Sequence, residues 1–141
     1  MGGDLESYWN SGSGRTAKAG ARGAFFQAVT SYSLPDAVRN AIFIAEQPDL
    51  DGDKLNLALR QHAQDHWNKG KFFRMLNRML FRGADGTDRY KILERFYRLK
   101  PGLIERFYAG NTTNGDKARI LTGKPPIPIG KAITAIRSKK K

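Results

Sequence analysis

The 141-residue sequence contains no cysteine. This rules out a disulfide, a thiolate zinc site, an iron–sulfur cluster and a cysteine nucleophile, and it fits a reducing compartment. Long apolar runs are also missing: none approaches the roughly 18 residues that span a bilayer. The N-terminus lacks the basic-then-apolar order of a secretory signal. A cytoplasmic chain is expected, membrane-peripheral at most. Histidine is scarce, with only His62 and His66. Their four-residue spacing puts both on one helix face, which would suit two metal ligands. However, HAQDH lacks the Glu that follows the first His in HExxH, there is no third His, and Asp65 lies elsewhere on the turn. No metal is expected, and no P-loop, nucleophile motif or paired-carboxylate constellation stands out.

Acidic residues are few in the second half. Residues 71–141 hold 18 Lys/Arg against 5 Asp/Glu, whereas residues 1–70 hold 7 against 8. That makes the second half attractive to a polyanion, either nucleic acid or an anionic lipid surface. The plainer reading is a solvated basic surface without a specific partner.

Residues 10–24 are rich in Gly, Ser and Ala without an apolar period, which predicts loop or extended backbone. Phe25-Phe26 and Ala28-Val29 allow at most a short buried strand. Ser33 then reads as an N-cap, with Pro35 in the first turn and Asp36 closing an S-x-x-D pattern. Val38, Ala41, Ile42 and Ala45 follow at helical spacing until Pro48. Asp53 is expected to cap a second helix with Leu55, Leu59, Ala63 and Trp67 on its apolar face. After Gly70, a third helix carries the stripe Phe72, Met75, Leu76, Met79 and Leu80, with Arg74, Arg78 and Arg82 on another face. Gly83 to Gly86 breaks it, and Thr87 or Asp88 starts a fourth lined by Tyr90, Leu93, Phe96 and Tyr97. Asn114 to Leu121 reads as a further helix, and Ile129 to Arg137 as an amphipathic stretch before a frayed Lys139-Lys140-Lys141 tail. The fold class is mainly α: several short helices over residues 35–141, following an irregular segment over residues 1–34.

The most specific stretch runs from Glu94 to Pro126. Glu-Arg-Phe-Tyr occurs twice, at 94–97 and 105–108, with Pro101-Gly102 between the copies. Pro101 removes a backbone donor and disfavours helical geometry at Lys100, so two short helices are expected. Glu94 stands four residues before Arg98, a favourable helical pair. With the following ILTGKPP, this stretch resembles the C-terminal region of bacterial-type lycopene β-cyclases, a family of flavin-dependent carotenoid cyclases. Residues 20–38, GARGAFFQAVTSYSLPDAV, are similar to that family's late flavin-contacting motif.

The resemblance implies the C-terminal portion of an α/β flavoprotein, with contacts to reduced FAD from Gly20, Arg22, Phe26, Thr30, Ser31, Tyr32, Ser33, Leu34 and Pro35. Gln27-Ala28 stands where the family has His-Pro, and Ser31 where it has Gly. The implied activity is cyclisation of the linear ends of lycopene to β-rings without net redox change. The resemblance runs from about Gly3 to Ile136 and matches only the last third of a cyclase. The N-terminal flavin domain with its glycine fingerprint and the mid-chain acidic motif have no counterpart here. A C-terminal fragment, inactive alone, is therefore expected, with apolar surface left exposed. The catalytic residues are unknown; Glu46, Glu94 and Glu105 are the first carboxylates to test. The alternative is a small basic helical module on nucleic acid or an anionic membrane. Nucleic acid is the weaker partner, because no helix-turn-helix or stacking platform is distinguishable.

Overall fold

The computed structural model describes residues 4–11, 16–83 and 85–122. Among them the regular elements are all helical, with no strand. The elements are α1 (Leu5–Trp9), a 3-10 turn (Gly20–Gly23), α2 (Leu34–Ala45), α3 (Gly52–Lys69), α4 (Lys71–Arg78), a π turn (Met79–Gly83), a 3-10 turn (Gly86–Asp88), α5 (Arg89–Tyr97), α6 (Pro101–Tyr108) and α7 (Asn114–Leu121). They gather into two compact units, Met1–Lys71 and Phe72–Lys141. The expected amphipathic stretch after Ile129 and the Lys139–Lys141 tail lie outside the described residues.

The core of the first unit is Leu5, Trp9, Ala24, Phe25, Leu59 and Ala63, with Tyr8, Phe43, Ile44, Leu55 and Trp67 packed around it. The apolar face expected of α3 is therefore the inward one. Its cap is Asp51 rather than Asp53: the Asp51 carboxylate accepts from the N–H groups of Asp53 and Lys54. Asp53 falls in the first turn, where its charge still suits the helix dipole. Helix α1 lies where composition predicts only loop or strand. Asp4 caps it, Glu6 pairs with Arg60 of α3 at 2.5 Å, and the Lys18 ammonium donates to the carbonyls of Tyr8, Trp9 and Ser11 at its other end.

Helix α2 forms as expected but faces the other way. Val38, Ala41, Ile42 and Ala45, together with Leu34, are exposed. The inward side carries buried Asp36 and Asn40, with Phe43 and Ile44 against the core. Asp36 does not complete a capping box with Ser33, whose side chain makes no cap bond. Its carboxylate instead accepts from Arg39 at 2.8 Å and lies 3.8 Å from His66 Nδ1.

In the second unit, Pro101 separates the two Glu-Arg-Phe-Tyr copies onto α5 and α6. The copies clasp one another. Phe96 and Phe107 lie 4.6 Å apart between ring centres, and the hydroxyls of Tyr97 and Tyr108 are 2.5 Å apart. That hydrogen bond, then burial, raises the Tyr108 phenol above its ordinary value. The two arginines hold opposite ends of α7: Arg106 forks onto Asp116 at 2.8 and 2.7 Å, and Arg95 donates to the Thr122 carbonyl. Glu94 pairs with Arg98 as expected. Phe73, absent from the expected α4 stripe, is buried there with Leu103 and Phe107, and its ring packs edge-on to Phe107.

Thr113 and Asp116 close a full capping box at the start of α7. The Arg106 guanidinium and then the Thr113 N–H hold the Asp116 carboxyl well below its usual value of 3.8. A depressed native pKa contributes stability that is complete above the unfolded value and is lost as pH falls below it. Protection of the α7 amides, taken relative to their intrinsic exchange rates, is expected to fall as pH drops below about 3.8, and Asp116→Asn should remove that acid dependence. Unchanged protection down this range would show that the pair does not hold α7.

Candidate functional site

Residues 20–35 form a compact loop against the first-unit core and run into α2. The Gly20–Gly23 turn opens it, with Gly20 in the left-handed region at φ +55° and the Phe25 N–H donating to the Gly20 carbonyl at 3.0 Å. Gly23 leaves no room for a side chain: a Cβ there would lie 2.7 Å from both the Lys18 carbonyl oxygen and the Phe25 ring. Arg22 is exposed and lines a cleft of about 510 Å³ with Ser7, Tyr8, Ser11 and Lys18.

The second half of the loop is organised by Gln27. Its side-chain oxygen accepts from the N–H groups of Val29 at 2.5 Å and Thr30 at 2.8 Å, and from the Thr30 hydroxyl at 3.2 Å. The Ser31 N–H donates to the Gln27 carbonyl, and the Gln27 N–H to the Tyr32 carbonyl. These bonds turn the backbone at the place where a short strand was allowed, and an extended path through Ala28-Val29 could not make them. Gln27 has no part in the expected site, yet it is among the most buried polar residues, 3 % exposed. The available signal was a lone amide between the apolar pairs 25–26 and 28–29.

Ser31 sits at φ +60°, a conformation glycine adopts freely and other L residues reach at about 1–2 kcal/mol. Its backbone is thus held in a conformation that glycine reaches more easily than serine. Ser31→Gly is expected to stabilise the first unit by roughly 0.5–1 kcal/mol, since relief of strain outweighs the added freedom of the unfolded chain. Chemical denaturation measures it, and a destabilised variant would contradict the reading.

The expected contact residues divide into two groups. Gly20 and Arg22 belong to the opening turn. Thr30, Ser31, Tyr32, Ser33, Leu34 and Pro35 run from the second turn into α2. Phe26 packs on the core side, 5.9 Å from Tyr8 between ring centres. At the start of α2, Ser33 makes no side-chain cap bond; Pro35 has no N–H, and the N–H groups of Leu34 and Asp36 have no intrahelical partner. Tyr32, Leu34 and Val38 present apolar surface next to it. An uncapped helix start beside an apolar platform suits the flat, anionic end of a flavin. Among the described residues there is no Gly-rich strand-to-helix turn of the kind that grips a pyrophosphate.

His62 stacks on Phe43 with ring centres 4.1 Å apart and lies 5.3 Å from Phe25. Burial, then the neighbouring His66, lowers the His62 pKa below its ordinary value. His66 Nε2 lies 3.4 Å from the Phe26 carbonyl oxygen. The pair thus packs the loop onto α3. Among the described residues no group of three His, Asp or Glu is placed to hold a metal. Of the carboxylates to test first, Glu46 and Glu105 are exposed and Glu94 is taken by Arg98. No helix among the described residues is long and apolar enough to cross a membrane.

Similarity to known proteins covers the same loop and both units. The family model described as lycopene cyclase protein matches residues 1–134. A lycopene beta-cyclase of Pseudescherichia vulneris is 45% identical over 132 residues, which is 94% of this chain and 34% of that protein. One from a Paracoccus species is 46% identical over 134 residues, covering 94% and 35%. One from Pantoea ananas is 38% identical over 136 residues, covering 96% and 35%. The chain thus spans about a third of the length of the curated relatives it matches. No solved structure matches it. The family match extends over both helical units, and by it this chain belongs to the lycopene cyclase family.

Proposed function

We propose that this chain supplies the ring-side flavin contact and the C-terminal helical part of a lycopene β-cyclase, which converts the linear ends of lycopene to β-rings. The observation that carries the reading is the loop over residues 27–35, whose left-handed Ser31 leads into the uncapped start of α2 within a chain of this family. Gly20, Arg22, Phe26, Thr30, Ser31, Tyr32, Ser33, Leu34 and Pro35 are the residues proposed to line the reduced FAD. The backbone at the start of α2 offers donors and a positive helix end to the ring, and Tyr32 and Leu34 shield its face from water. When bound, the anionic reduced flavin supplies negative charge that stabilises a carbocation. The cyclisation adds a proton to one carbon of the end group and removes one from another, so it needs an acid but no net electron transfer. No carboxylate in this chain is assigned that role. Because lycopene is wholly apolar, the working protein is proposed to rest on a membrane surface.

The experiment is a chimera in which this chain replaces the matching third of the Paracoccus relative, expressed in cells that accumulate lycopene. The chimera is expected to form β-carotene, and the chain expressed alone is expected to form none. A folded, flavin-loaded chimera that leaves lycopene unchanged would overturn the reading. β-Carotene from the chain alone would place an acid within these residues, and Glu46, Glu94 and Glu105 would be mutated first.

A further inference from the structure

His66 stands where both ends of the candidate loop come to α3. Its Nε2 lies 3.4 Å from the Phe26 carbonyl oxygen, at the entry to the second half of the loop. Its Nδ1 lies 3.8 Å from the carboxylate of Asp36, in the first turn of α2. A single ring on α3 therefore reaches both ends of residues 27–35. Both atoms that it faces are acceptors. A neutral imidazole has a donor for one of them and the charged ring for both, whereas an apolar side chain has none. The ring is half-buried and lies 5.5 Å from that of Phe25 between centres, so packing also fixes its place. Arg39 shares the same carboxylate oxygen at 2.8 Å. Asp36 is thereby turned inward, 7 % exposed, and its negative charge is kept off the outer side of the helix start, where it would repel an anionic ring.

We propose that His66 is a positioning residue for the flavin contact: from α3 it ties the Phe26 carbonyl to the Asp36 carboxylate, and so fixes the loop between them against the start of α2. Gln27 bends that loop from within, through bonds among residues 27–32. Those bonds join the loop to itself, whereas the two His66 contacts join it to α3 and α2. A loop held at both ends has less freedom left to lose when a ligand arrives. It meets the ligand already shaped. The inference rests on the cyclase reading for the identity of that ligand, but the tie itself is a property of this chain.

The test uses side-chain amides that copy one ring nitrogen each. A glutamine amide reaches as far as Nε2 and an asparagine amide as far as Nδ1. His66→Gln therefore keeps a donor toward Phe26, His66→Asn keeps one toward Asp36, and His66→Leu keeps volume but neither donor. Hydrogen exchange at fixed pH is read in the full 141-residue chain at two amides: Gln27, which donates to the Tyr32 carbonyl, and Ala37, which donates to the Ser33 carbonyl. The amide of Ala63, in the core face of α3, controls for global opening. In His66→Leu both reporting amides are expected to exchange about three- to tenfold faster than in the parent, the scale of one lost hydrogen bond, while Ala63 keeps its rate. His66→Gln should restore the Gln27 amide and His66→Asn the Ala37 amide. Unchanged exchange in His66→Leu would overturn the proposal. So would loosening that neither amide variant corrects, since it would leave the ring only its packing against Phe25. In the chimera with the Paracoccus relative, flavin content is expected to fall in His66→Leu and to rise again in His66→Gln. Full flavin in the His66→Leu chimera would overturn the positioning role and leave the cyclase reading standing, whereas a folded parent chimera without flavin would count against that reading and not against the tie, which is read in the chain itself.

Discussion

Phe25→Ala is expected to destabilise the first unit by about 3–5 kcal/mol, the range for removing a fully buried aromatic side chain. Phe25 is 1 % exposed, and its ring meets both His62 and His66 of α3. Its loss empties the joint between the loop and α3 rather than a peripheral pocket. Both tryptophans of the chain, Trp9 and Trp67, belong to this unit and pack in or against the same core, so fluorescence during denaturation reads the effect directly. The counterpart is Val38→Ser/Ile42→Ser on α2. Both residues are more than half exposed, and the double change is expected to stay near 0.5 kcal/mol or less. A large loss from that pair would mean that the inward and outward faces of α2 are reversed, and a small one from Phe25→Ala would mean that its ring does not join the loop to α3.

That reversal shows where local pattern stops deciding structure. The start of α6 was readable because its signal is contained in Pro101, whereas the Thr113–Asp116 capping box that starts α7 emerged only in the structure. The division of the two Glu-Arg-Phe-Tyr copies followed from the same proline. On α2 the residues at helical spacing, Val38, Ala41, Ile42 and Ala45, marked one apolar side, and the packing around the helix chose the other. Arg39 and His66 receive Asp36 on the inner side, and Phe43 stacks there on His62. Helix α1 has five residues, too few for a period. It exists because Leu5 and Trp9 find α3 far along the chain. In the candidate site, Ser31 was readable as a substitution in a family motif, while its left-handed backbone emerged only in the structure. The hub at Gln27 was not readable, since its partners become visible only when the loop is closed.

Gln27→Ala is therefore the most informative change in the loop, with an expected destabilisation of about 2–4 kcal/mol. Its side-chain oxygen accepts from the N–H groups of Val29 and Thr30, two half-buried residues. A backbone donor left without an acceptor away from water costs roughly 1–3 kcal/mol. Two such donors are involved, and partial access to solvent brings the sum toward the lower part of that range. Gln27→Leu separates the two contributions of the side chain, because it restores volume but no acceptor. If the hydrogen bonds hold the turn, the leucine variant should lose nearly as much as the alanine variant, and amide exchange at residues 29–32 should quicken in both. Recovery of stability by leucine would assign the role of Gln27 to packing and leave the turn held by its backbone bonds alone. In the chimera, the same loss of the turn should loosen Ser31 and the start of α2, the proposed edge of the flavin site. Flavin content and β-carotene yield are then expected to fall together in Gln27→Ala and to stay near the parent in Ile42→Ser, and retained flavin in a chimera with a loosened turn would detach the loop from the cofactor.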